Sequence, residues 1–408
     1  MTNEFANTPR PVYVSLAIFA WNEQRAIVSC IKSLFQQTLF SELAGRPAVC
    51  EVLCVCNGCT DQTAAVAAGV FEEENRTHPC ARAFTTRVLD LSQRGKLNAW
   101  NRFVHEFSTR QARYLFMMDA DILLNRRETL CQMLLTLETD AQAHVAVDRP
   151  QKDLLFKGRK SIRDRLSLAS AEMTLSAEAQ LCAQLYCIRA EVARNIFMPR
   201  DLPACEDGFL KTLVCTDLLQ HPVRPERIRV AEHAEHVFEA YTSPLAILKN
   251  QKRQIIGQTI VHILVDQFLN TLPFSKRQRM AETIKTRELA DPGWLKRLIA
   301  QHLQRTRFFW RLYPALPAQS FRRLKQLHGF QRFVCFPAAL ARFGAEMLSS
   351  YGAYRSLKAG CTDYWPKADR AGLGPGVFAT VPQRRLASPA GLGKPALGRV
   401  EGLKCSPP

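Results

Sequence analysis

Between residues 12 and 124, apolar strand-like runs alternate with helix-like ones, and this alternation constrains the fold more than any other feature of the chain. Val12 to Ala20 carries no charge, as expected of a buried strand. Ile27, Cys30, Ile31, Leu34 and Phe35 follow at helical spacing and give one apolar face. Val49 to Cys56 reads as the second strand, Thr63 to Val70 as the next helix, and Arg87 to Leu91 as a short third strand. Leu97, Trp100, Phe103, Val104 and Phe107 share one helical face, and Tyr114 to Met118 closes the series. Repetition at this pitch predicts an α/β fold, a mostly parallel sheet flanked by helices.

In such a sheet the loops that follow the parallel strands gather at one edge, where ligands bind. Four polar segments fall at those points: Ala20 to Glu23, Asn57 to Thr63, Gly95 to Asn101, and Asp119-Ala120-Asp121. Asp119 and Asp121 sit where the fourth strand gives way to a loop, spaced to share a hard divalent cation that keeps waters and substrate phosphates. A metal held there neutralises a departing diphosphate. The plain alternative is a solvated acidic turn, since short motifs are weak evidence. Asn and Asp side chains can read a base and ribose by hydrogen bonds. Gly58 allows a tight turn, and Lys96 near a helix N-terminus is placed to meet phosphate. Together the four segments suit a nucleoside diphosphate.

Composition narrows the class. At 408 residues the chain is long enough for two or three domains, and 47% hydrophobic with 23% charged residues fits a globular protein. A net charge of +18 points to an anionic partner. No secretory leader and no uncharged apolar run of spanning length is evident, and 14 cysteines without a leader imply reduced thiols in the cytosol. Cys50, Cys54, Cys56 and Cys59 lack the second pair of a structural zinc site, so they read as small core hydrophobes.

On these motifs the chain resembles the family 2 glycosyltransferases, which have the GT-A (Rossmann-like) fold, over roughly residues 12 to 260. Asn22-Glu23 matches the family's Asn-Glu pair after the first strand. Gly95, Lys96, Ala99 and Asn101 complete its Gly-Lys-x-x-Ala-x-Asn segment, and Asp119 and Asp121 its metal motif. The base-contacting turn is kept at Asn57 and Asp61, but its first acidic position is Cys56. Glu206-Asp207 matches the acceptor-side motif, in which Asp207 takes the role of catalytic base. A neighbouring acid raises a carboxylate's pKa and strengthens it as a base. Alone, the pair also reads as a helix N-terminus with acids favourable to the dipole. The Gln-x-x-Arg-Trp segment of processive synthases is absent. Asn250-Gln251-Lys252-Arg253-Gln254 stands there, with Arg253 in place to touch diphosphate. His233 and His236 are candidate extra metal ligands, though such histidines are commonly structural.

The resemblance implies an inverting transferase that moves a sugar from a nucleoside-diphosphate sugar, UDP-sugar first, to a hydroxyl of a glycan or lipid-linked acceptor, with Mg²⁺ or Mn²⁺ as cofactor. Donor contacts fall to Asn22, Glu23, Asn57, Asp61, Lys96, Asn101, Asp119 and Arg253, metal binding to Asp119 and Asp121, and catalysis to Asp207 with Glu206. A nucleotidyltransferase, or a degenerate transferase acting as a membrane-bound scaffold, remains a rival.

The expected organisation is a GT-A domain over 1–260, a basic helical region over 261–362 and a Pro/Gly-rich tail over 363–408. Residues 291–360 hold twelve Lys and Arg against two acids, interleaved with Trp294, Leu295, Leu298, Ile299, Leu303, Phe308, Phe309, Trp310 and Leu312. That pattern fits either a membrane-interface region or cationic helices packed on the catalytic domain. The first reading places the protein on the cytoplasmic face of an anionic membrane. No nucleic-acid motif is present, so nucleic acid is not an expected partner. Lys157, Arg159, Lys160, Arg163 and Arg165 form a second basic run, either a solvated face or a loop closing over phosphates.

Overall fold

Strands form where the sequence carries apolar runs: β1 (Val12–Ala20), β2 (Val49–Asn57), β3 (Phe84–Leu91) and β4 (Tyr114–Asp119), as expected to within a few residues. The structure is a computed structural model and describes residues 11–161, 164, 180–202, 206–240, 243–306, 308–312 and 330–360. β5 (Ile122–Leu123), β6 (Val145–Lys152), β7 (Leu185–Arg189) and β8 (Ile228–Phe238) complete an eight-stranded sheet in the order β3-β2-β1-β4-β7-β6-β8-β5. β3 begins three residues earlier than the sequence suggested, because Thr85 and Thr86 extend the ladder opposite Glu51 and Val52.

The sheet has two halves. β3, β2, β1 and β4 run parallel, whereas β7 is antiparallel to both β4 and β6. The result is a mixed α/β sheet, parallel where the motif loops emerge. Register then fixes the site: Asp119 pairs with Phe19, Cys56 with Ala20 and Asn57 with Leu91, so the loops after β1, β2 and β4 start at one edge.

Side-chain alternation along the strands sorts two cores. Val14, Leu16, Ile18, Cys50, Val52, Cys54 and Cys56 face the helices Ile27–Phe35, Leu39–Ala44, Thr63–Thr77 and Thr129–Thr139. Three of the four clustered cysteines are thus buried hydrophobes on one face of β2, as expected. Ala17, Phe19, Leu53, Val55, Leu115 and Met117 face the other way, against Trp100, Phe103 and the C-terminal helices. The helical face expected from Leu97 to Phe107 is a helix over Lys96–Arg102 that widens into a π turn over Phe103–Phe107. Ser108 N–H closes that turn on the Phe103 carbonyl at 2.8 Å.

The boundary expected at residue 260 falls inside the helix Pro244–Gln267. Its Ile256, Ile260, Ile263 and Leu264 share a core with the sheet, so the helical region and the sheet are packed as one body. The helix Trp294–Arg305 follows the second of the two readings given for its segment, a cationic helix packed on the body. Its Trp294, Leu295, Ile299 and Leu303 are buried in that core, so its apolar face is not available to a membrane. Among the described residues no helix is long and apolar enough to cross a membrane. Lys157 pairs with Asp164 at 3.4 Å, while Arg163 and Arg165 of that basic run, and the tail from 363, lie outside the described residues.

Candidate active site

A cleft of about 900 Å³ opens at the carboxyl edge of β1, β2 and β4, and every catalytic, donor and metal residue assigned from the family motifs lines it, whereas His233 and His236 do not. The residues differ in what already holds them.

Three of the polar motif residues knit the loops together. Asn22 has a left-handed backbone (φ 55°), accepts Thr60 N–H at 2.7 Å and donates its amide to the Thr60 hydroxyl at 3.0 Å. Asn57 is buried and spans two loops, donating to the Ala20 carbonyl at 2.8 Å and accepting from Gly95 N–H at 3.3 Å. Asp61 accepts Thr63 N–H at 3.0 Å and Gln24 N–H at 3.3 Å. Glu23 begins the same network, its N–H donating to the Thr63 hydroxyl at 2.8 Å. Gly58 is required here: with φ at 70°, a Cβ would lie 2.9 Å from the Arg94 N and Cα. The Arg94 guanidinium in turn lies over the Trp21 ring, 3.8 Å from its centroid, and both residues line the cleft.

Lys96 occupies the centre. Its ammonium lies 2.6 and 2.9 Å from the two Asp119 oxygens, 3.1 Å from the Ala183 carbonyl and 3.3 Å from Glu206. Burial opposes its charge most strongly, but Asp119 and Glu206 outweigh that and raise its pKa. Beneath it, Trp100 N–H donates to the Tyr186 hydroxyl at 2.7 Å. Lys96 is therefore held by two acids, where the sequence placed it against phosphate alone.

Asp119 is pushed up to about 6, first by burial and also by Asp121, against the pull of Lys96. Asp121 shares the cleft with it. Two partly buried carboxylates, of which Asp121 raises its neighbour Asp119, present hard oxygens that fit a divalent cation completing its shell with phosphate and water. Among the described residues no group of three or more His, Cys, Asp or Glu is placed to hold a metal. His236 is fully buried between Asp148 (2.7 Å) and Gln184 (3.4 Å), and His233 is exposed, so neither joins the aspartates.

Across the cleft, Glu206 and Asp207 open the helix Glu206–Cys215, while the preceding residues 203–205 lie outside the described residues. Glu206 is buried and its contact with Lys96 is ionic rather than hydrogen-bonded. Asp207 is pushed up to about 6 by burial and then by Glu206, opposed by the Gly208 N–H that donates to it at 2.8 Å. It faces both the main cleft and an adjoining cavity of about 260 Å³ that also reaches Lys211, Arg253 and Gln258.

Asn250, Arg253 and Gln254 put one face of the helix Pro244–Gln267 on the cleft. The Asn250 Oδ1 is buried and accepts no hydrogen bond from the described residues. Asn101 lines the wall, but its amide pairs with both the N–H and carbonyl of Met198, at 2.9 and 2.8 Å. Sequence reasoning missed Trp21, Arg94, Arg200, Lys285 and Glu288, all of which line the cleft. Only Trp21, adjoining the Asn-Glu pair, carried a signal that could have found it.

Residues 15–182 match the family model for glycosyl transferase family 2. Among solved structures the chain is similar to a mannosyltransferase from Pyrobaculum calidifontis in complex with GDP-Man and Mn²⁺, at 16% identity and TM-score 0.44, covering 92% of this chain and 86% of that one. It is also similar to residues 1–349 of TarS from S. aureus, at 14% identity and TM-score 0.42, covering 86% and 91%. A third is glucosyl-3-phosphoglycerate synthase from Mycobacterium tuberculosis with Mn²⁺, UDP-Glc and phosphoglyceric acid, at 17% identity and TM-score 0.39, covering 65% and 82%. No curated protein matches the sequence. The family match spans the four motif segments from Asn22 to Asp121, so residues 15–182 carry a domain similar to glycosyl transferase family 2.

Proposed function

We propose that this chain transfers a sugar, with inversion, from a nucleoside-diphosphate sugar (UDP-sugar first) to a hydroxyl of a glycan or lipid-linked acceptor. The observation that supports it most is the placement of Asp207, a carboxylate raised to about 6, in the same cleft as the Asp119–Asp121 pair. A carboxylate with that pKa is ionised at neutral pH yet basic enough to take a proton.

Asp119 and Asp121 would hold Mg²⁺ or Mn²⁺, which when bound supplies Lewis-acid neutralisation of the diphosphate. Lys96 fixes the Asp119 carboxylate and keeps a positive charge at the centre of the cleft. Glu206 stays buried beside it and raises Asp207. Asp207 accepts the acceptor's hydroxyl proton, the oxygen attacks the anomeric carbon, and the bond to the diphosphate breaks on the opposite face. A single carboxylate base and a direct displacement give inversion. The adjoining cavity beside Asp207, Lys211 and Gln258 is the acceptor's approach. Asn22, Asn57 and Asp61 serve the donor by holding the shape of its loops, with Glu23, Arg94 and Trp21 bordering the base side. Arg253 and Asn250 face the diphosphate from the helix opposite.

Turnover of a panel of UDP-, GDP- and dTDP-sugars with Mn²⁺ or Mg²⁺, read as nucleoside diphosphate release, tests this. Metal-dependent release from one donor, lost in Asp121→Ala and Asp207→Asn, is the expected result. Release of pyrophosphate would make the chain a nucleotidyltransferase. Silence with every donor, together with no nucleotide binding by calorimetry, would make it a scaffold.

A further inference from the structure

The helix Phe330–Lys358 carries a row of large apolar side chains that nothing among the described residues covers. Phe336 (50% exposed), Leu340 (52%), Leu348 (69%) and Tyr351 (49%) fall at steps of four, eight and three, with exposed Gly344 and Arg355 in the same row. Steps of three and four keep a row on one helix face, about 28 Å long from Phe336 to Arg355. Phe308 and Trp310, 45% and 43% exposed and stacked at 4.6 Å, extend it: Phe309 packs on Trp310 at 5.1 Å and on Tyr351 at 5.6 Å.

The opposite face of the helix is already used. Ala353 and Leu357 are buried in the core and Ser349 contacts Gln251 at 3.4 Å, while at the row's edge the Tyr354 hydroxyl donates to the Thr306 carbonyl at 3.1 Å. The helix is thus fixed to the body with its apolar row outward. Soluble surfaces rarely leave such a row uncovered.

Charge selects the occupant. Residues 291–360 contain only two acids, and both are withdrawn: Asp291 is paired with Arg297, and Glu346 is buried. Arg305, Arg311, Arg355 and Lys358 are exposed around the row. An apolar face rimmed by aromatics and cations, with no exposed acid among the described residues of 291–360, is complementary to an anionic bilayer surface, where aromatic rings sit at headgroup level and cations meet lipid phosphate. We propose that the face of Phe336, Leu340, Leu348, Tyr351, Phe308 and Trp310 docks the protein, parallel to the surface, on an anionic lipid bilayer. The face is distinct from the cleft, and its role does not depend on the transferase reading. It also replaces the helix Trp294–Arg305, whose apolar residues are in the core.

The test is co-sedimentation of the full chain with phosphatidylcholine vesicles, with and without roughly 40% phosphatidylglycerol. Wild type is compared with Leu340→Asp/Leu348→Asp, whose side chains are exposed, and folding is checked by circular dichroism. Expected are binding to the anionic vesicles only, a fall of roughly tenfold or more at high salt, and loss of binding in the folded double variant. Equal binding by the folded variant, or no preference for anionic vesicles, would overturn the proposal. So would a wild-type dimer that the variant splits without any vesicle binding, which assigns the face to a second copy. Binding that appears only after removal of residues 361–408 would assign it to the chain's own tail. Donor turnover is read in parallel and is expected to be unchanged, so vesicle binding and catalysis stand or fall separately.

Discussion

The two walls of the cleft are built on different principles. On the donor side, motif side chains bond to one another's loops: Asn22 to Thr60, Asn57 to Ala20 and Gly95, Asp61 to Thr63 and Gln24. On the opposite side the groups are offered by helices. Asp207 comes from a helix N-terminus, Arg253 and Asn250 come from one helix face, and the buried Asn250 Oδ1 has no hydrogen-bond partner among the described residues. A short Asn- or Asp-containing motif therefore marks where the backbone must be held, and the carboxylate proposed as the base lies across from it. Substitutions on the first wall should cost stability, and those on the second should cost turnover.

The largest effect is expected on the helical wall. Asp207→Asn should lower kcat by about 10³-fold, within the usual range for a general base, while urea unfolding stays close to wild type. A folded variant with near-normal kcat would move the base elsewhere and dissolve the contrast. On the donor wall the reverse is expected. Gly58→Ala places a Cβ against the Arg94 backbone at a left-handed φ, which should cost about 2 kcal/mol of unfolding free energy. An unchanged urea midpoint would mean that the loop is not held as described.

How much of this was legible follows the same division. The apolar runs of β1, β2 and β4 made the parallel half readable, and Gly58, Lys96 and the aspartate pair marked its edge. The turn of the sheet at β7 was not readable, because Leu185 to Arg189 is a short apolar run that specifies a strand but no direction. Lys96 was recognisable as a cation at a helix start. That its partners are Asp119 and Glu206, 110 residues further along the chain for the latter, depends on tertiary packing alone. Lys285 and Glu288 belong to no motif and reach the cleft only because the helix Met280–Ala290 packs there. The amphipathic helix Trp294–Arg305 gives the clearest limit. Its periodicity shows that one face must leave water, and core and bilayer satisfy that equally.

Asn101 tests the contrast with a smaller effect. It was expected at the donor, yet both ends of its amide hold Met198. Asn101→Ala should lose about 1–2 kcal/mol of stability and speed hydrogen exchange at the Met198 N–H, with little change in donor KM. A large KM rise without a loss of stability would return it to donor binding.

The smallest effect is the most discriminating. Asp207 must be ionised to accept a proton, so kcat should fall as pH drops through about 6, an acid limb well above that of an ordinary carboxylate. Burial is the first cause of the rise and the Glu206 charge the second. Glu206→Gln keeps the size and burial but removes that charge, so the limb should move to lower pH, by less than about one unit because the burial contribution remains. Lys96 also loses one of its two acids in this variant, and the extra uncompensated positive charge pulls Asp207 in the same direction. Both consequences share a sign, so a limb that stays fixed or moves upward would show that the titrating base is not Asp207.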